Sequence, residues 1–140
     1  MANANEPSSA RAIHPLHAVL LASTIPLYLG ALLSDLAYNS TYHIQWSNFA
    51  SWLLVGAMLF TGMALAWTLV TLLRPHARRP LVTFVLLLAL FALGLLNSLV
   101  HARDAWGTMP EGLILSVIVT ILAVAATWSG FSTATRRANT

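Results

Sequence analysis

The sequence has no cysteine, no lysine and very little charge, and each absence narrows what the chain can be. Without cysteine there is no disulfide, no thiolate metal site and no thiol nucleophile. Charged residues make up 8% of the 140 positions, where a soluble domain carries about 25% because its surface faces water. So few charges cannot cover a water-soluble surface. A hydrophobic content of 58% instead fits a chain whose solvent is lipid. Also missing are an H-E-x-x-H pair, a Gly-rich phosphate loop and a nucleophile elbow, so soluble-type catalysis has no support. The seven basic residues are all arginine and the net charge is +3. They flank apolar segments, which marks them as topology signals rather than nucleic-acid contacts.

What is present is four long apolar runs with short polar links. Residues 1–13 are polar and form an N-terminal tail. Residues 14–131 form the membrane domain, with spans expected over about 15–38, 46–73, 81–101 and 110–131. Residues 132–140 are a C-terminal tail. The first run is longer than the roughly 7–15 residues of a signal-peptide core and reads as a retained anchor. Pro15 suits a first helical position, because its missing N–H has no intrahelical partner to lose. From His17 to Asp35 a helix rises about 27 Å, close to a hydrocarbon core of about 30 Å. Gly56, Ala57, Thr61, Gly62 and Ala66 in the second run allow close helix approach. Ser116, Thr120, Ala123 and Thr127 in the fourth recur at packing intervals.

Short links make sequential helices antiparallel. The fold class is therefore all-α, a polytopic four-helix up-down bundle. Arg11, Arg74, Arg78, Arg79, Arg136 and Arg137 fall on one side and Arg103 on the other. The positive-inside rule then puts both termini in the cytoplasm of a bacterial inner-membrane protein.

Ionisable residues in or near lipid are costly and are the places to look for function. At the external face stand Asp35, His43, Asn97, His101, Arg103 and Asp104, the candidates for a cofactor-binding cluster. At the cytoplasmic face stand His14, His17 and His76. Asn97, His101 and Asp104 follow an i, i+4, i+7 pattern on one helix face. That spacing lets Asp104 orient the His101 ring, while Asp35 is placed to pair with Arg103. No residue is assigned a catalytic role, and no metal is specified.

Two alternatives compete with a structural use of these histidines. Haem b needs two histidines from different helices, and every available pair, such as His43 with His101 or His17 with His76, takes one from a link. A proton or ion path needs polar groups through the midplane, where the chain offers only hydroxyls such as Thr61 and Thr120.

The opening His14-Pro-Leu-His17, the LLSDLAY ending at Tyr38, LLNSLVHARDAW from Leu95 and MPEGLILSVIV from Met109 resemble the bacterial membrane-protein family called domain of unknown function 2231. The resemblance runs from His14 to Phe131. It implies the four-span fold and matches His14, His17, Asp35, Asn97, His101, Arg103 and Asp104. It also implies small inner-membrane proteins, some associated with redox partners. In many relatives a histidine lies near the start of helix 3, whereas RPHARRPLVTF sets His76 ahead of it. The expectation is a non-enzymatic membrane subunit or anchor acting with a partner protein or as a homo-oligomer in the lipid bilayer. The alternative is a small b-type cytochrome linking a periplasmic dehydrogenase to quinone.

Overall fold

The computed structural model describes residues 13–74, 80–103 and 107–138, with side chains as far as residue 133. Among the described residues the chain forms four α-helices: α1 (Pro15–Thr41), α2 (Ile44–Leu73), α3 (Leu81–His101) and α4 (Glu111–Ala138). All four are long and apolar enough to cross a membrane. The shortest, α3, has 21 residues, a rise of about 31 Å that matches the hydrocarbon core. Four spans return the chain to the side where it began. One end of the bundle, the His17 pole, therefore holds the start of α1 and the end of α4. The opposite end is the Asp35 pole.

Local chemistry sets the helix ends. His14 caps α1, its Nδ1 accepting from the Leu16 N–H at 3.3 Å, and Pro15 follows as the first helical residue. At the far end α1 extends beyond residue 38 through Asn39, Ser40 and Thr41. The Ser40 and Thr41 hydroxyls donate to the Ala37 carbonyl inside the last turn, so this polar stretch is helix and not link. Tyr42 then takes φ 57°, and its N–H donates to the Tyr38 carbonyl, closing α1. Only Tyr42 and His43 separate α1 from α2. Pro26 stands inside α1, which continues through it.

The helices pack in a ring, with α1 beside α2, α2 beside α3, α3 beside α4 and α4 beside α1. The inward positions follow steps of three and four: Ser47, Ala50, Leu54, Ala57, Thr61, Ala64 and Thr68 on α2, and Thr83, Leu87, Leu90, Gly94, Asn97 and His101 on α3. On α4 they are Gly112, Ser116, Val119, Ala123, Ala126 and Gly130. A 3.5-residue spacing is that of left-handed bundle packing. Small residues dominate the seam, and large apolar residues such as Val19, Leu33, Trp52, Leu59 and Trp128 face outward. This is the distribution expected in lipid, where close packing and hydrogen bonds join helices and apolar burial gives no preference for the inside.

Ser116 and Thr127 are buried in the seam and Thr120 is half-buried. Thr120 donates to the Tyr28 carbonyl at 3.2 Å and Thr127 to the Leu21 carbonyl at 3.0 Å, joining α4 to α1. On α2, Ala57 and Thr61 lie inside, whereas Ala66 points outward.

Candidate functional site

Asp35 and His101 lie one heptad beyond another cross-bundle contact. Tyr28 on α1 faces Gly94 on α3, where a Cβ would lie 2.5 Å from the Tyr28 hydroxyl. Only glycine leaves room for that ring at the bundle axis. The hydroxyl lies 3.3 Å from Thr61 Oγ1 and also donates to Met58 Sδ at 3.6 Å. Seven residues further along both helices, Asp35 meets His101. The α1–α3 diagonal therefore closes twice, although these two helices are not ring neighbours.

At this second crossing His101 Nε2 lies 2.8 Å from Asp35 Oδ1, and both side chains have no exposed surface. The small exposure of His101 belongs to its main chain. His101 Nδ1 lies 3.0 Å from the carbonyl oxygen of Asn97, one turn back. Ser116 on α4 donates to Asp35 Oδ2 at 2.5 Å and accepts from Asn97 Nδ2 at 2.9 Å. Three helices thus supply one closed network.

Hydrogen-bond roles follow from which atoms can donate. A carbonyl only accepts, so His101 Nδ1 carries a hydrogen. Ser116 accepts from Asn97, so its own hydrogen goes to Asp35. One further proton lies on the Asp35–His101 bond. The pair is uncharged overall whichever atom holds that proton, which avoids the cost of a net charge in lipid. In a nucleophilic triad the histidine stands between the carboxylate and the hydroxyl. Here the carboxylate stands between the histidine and the hydroxyl, so His101 is not in line to take the Ser116 proton. Asn97 Oδ1 and Thr108 Oγ1 are buried without a protein partner.

The other sequence candidates are placed differently. Arg103 is exposed and does not take Asp35, whose oxygens go to His101 and Ser116. The carboxylate on the His101 ring is that of Asp35. Asp104 and His76 lie outside the described residues. His43 is exposed at the N-terminus of α2 and makes no side-chain capping bond. At the opposite pole His14 and His17 flank Trp67, with ring centroids 4.9 and 5.9 Å away and the His17 ring stacked at 15°. Among the described residues no three metal-ligating side chains gather.

Sequence reasoning missed Ser116 as a network member, because serine on a packing stripe looks like any small residue. It also missed a cleft of about 370 Å³ at the Asp35 pole, lined by Ile44, Gln45, Ser47, Asn48, Ser51, His101 and Arg103. The signal for both is the heptad: Ser116 shares the inward register of Gly112 and Ala123, and Ser47 begins that of α2.

A search of the curated proteins finds no match to the chain, and a search of the solved structures finds none. The four apolar helices agree with a membrane-protein family whose sequence model matches over residues 13–138. The chain belongs to that family, described as predicted membrane protein (DUF2231).

Proposed function

We propose that this chain is a non-enzymatic subunit or anchor of the bacterial inner membrane that acts with a partner protein. The observation that carries this is the saturation of the Asp35–His101 pair. Both carboxylate oxygens and both ring nitrogens are committed within the bundle, and neither side chain reaches the surface. The most reactive groups therefore serve as a clasp that fixes α1, α3 and α4 in register. Within the clasp, neither the carboxylate nor the imidazole is left unbonded. Outside the clasp, α2 turns Trp46, Phe49, Trp52, Val55 and Leu59 outward, a face on which another membrane helix fits as well as lipid does.

The test is purification of the tagged chain from native membranes in mild detergent. A companion protein in fixed proportion is the expected result. A chain that emerges alone and monomeric contradicts the proposal, as does a Soret band that His101→Ala abolishes. The proposed topology has both termini in the cytoplasm, supported by arginine placement. A reporter fused after Thr140 should be active only in that compartment, and periplasmic activity reverses the orientation.

A further inference from the structure

The cleft at the Asp35 pole lies between the first two turns of α2 and the end of α3. Its polar lining is Gln45, Ser47, Asn48 and Ser51, with the exposed guanidinium of Arg103. Gln45, Ser47 and Asn48 can donate hydrogen bonds into it, and Arg103 adds a positive charge in a fork that matches an oxyanion. Among the described residues no carboxylate lines the cleft. Of the described acids at this pole, Asp35 is committed to His101 and Ser116, and Glu111 starts α4, diagonal to α2. Ile44 and Gln45 also open α2, so their N–H groups are among the donors a helix start leaves without intrahelical acceptors. The volume, about 370 Å³, is at the small end for ligand sites, a size for a head group more than for a whole lipid or drug-sized molecule. The exposed Trp46 beside it is a residue type that settles at the membrane–water boundary.

We propose that this cleft binds a phosphate oxyanion, with Arg103 as the charged contact and Asn48, Gln45 and Ser47 as neutral donors. The Ser51 hydroxyl donates to the Ser47 carbonyl at 2.9 Å and lines the cleft without a free hydrogen. Two sources offer that chemistry at a membrane boundary: the phosphodiester of a lipid head group and free inorganic phosphate.

Native mass spectrometry of the full chain in a neutral detergent tests this. The probes are phosphatidylglycerol, diacylglycerol with the same acyl chains, and inorganic phosphate as competitor. The expected result is one phosphatidylglycerol retained per chain, in preference to diacylglycerol. Retention falls on the order of tenfold in Arg103→Gln, as for loss of a charged hydrogen bond, and stays unchanged in Arg74→Gln at the other pole. Arg103 is exposed, so its variant keeps the helical circular dichroism spectrum. Asn48→Ala, also exposed, reports on the cleft independently and should weaken retention several-fold. Displacement of the lipid by millimolar phosphate supports the site with free phosphate as a source. Retention against phosphate, with loss in Arg103→Gln, supports it with the lipid as the source. Equal retention of diacylglycerol, or no effect of both Arg103→Gln and Asn48→Ala, overturns it.

Discussion

Asp35 takes hydrogen bonds from two other helices, and that geometry dictates how its substitutions should rank. His101 already carries a hydrogen on Nδ1, bonded to the Asn97 carbonyl. Its Nε2 can therefore accept from an amide as well as share a proton with a carboxylate. Asp35→Asn can turn its NH2 to His101 and its oxygen to Ser116, and should change stability by no more than about 1 kcal/mol. Asp35→Ala strands both partners and should cost about 3 kcal/mol. Unfolding in mixed micelles measures both. A cost for Asn as large as that for Ala would mean that the charge itself, and not the hydrogen-bond pattern, holds the site. Gly94 permits a companion test. Gly94→Ala places a methyl against the Tyr28 hydroxyl and Met58 Sδ, and should destabilise by about 1–3 kcal/mol. Tyr28→Phe removes the obstructing oxygen, while Thr61 keeps its bond to the Ala57 carbonyl. The double variant should recover much of the loss, and strictly additive costs would count against the close approach.

The four spans were legible in the sequence because length and apolarity alone define a membrane helix. The inward faces were not. In a soluble helix the buried stripe is more apolar than the rest, and that contrast reveals it. Along α2 the buried positions are alanine, serine, threonine and one leucine, while tryptophan, phenylalanine and valine face outward. The contrast is one of size more than polarity. It placed Ala57 and Thr61 correctly by residue type but grouped Ala66 with them. A paired substitution separates these positions. Ala57→Leu forces bulk into the seam and should cost about 1–3 kcal/mol, whereas Ala66→Leu faces outward and should stay within about 0.5 kcal/mol. Thermal unfolding in detergent checks both, and similar effects would refute the heptad register. The helix ends were legible where proline or histidine capping marks them, as at His14 and Pro15. They were not where hydroxyls close a last turn on their own carbonyls, as at Ser40 and Thr41.

Across the whole bundle, ring neighbours make the broad contacts, and α1 meets α3 through Tyr28–Gly94 and Asp35–His101. The individual candidates were visible one at a time: an aspartate ending one span, a histidine ending another, an asparagine a turn deeper. Their partners were not, because pairing depends on helix rotation, which apolarity of this kind leaves undetermined. Sequence neighbours suggested Asp104 for His101 and charge suggested Arg103 for Asp35. Packing instead brought Asp35 and His101 together across the axis, 66 residues apart in the chain. Membrane interhelical hydrogen bonds couple on average by about 0.6 kcal/mol, because the separated helices find other partners. A buried pair that shares one proton and links diagonal helices should exceed this. A double-mutant cycle of Asp35→Ala and His101→Ala, read as the unfolding free energy of the whole bundle in mixed micelles, should give a favourable coupling above about 1.5 kcal/mol. A coupling within about 0.5 kcal/mol of zero would contradict the clasp and leave the two residues as independent occupants of the same pole.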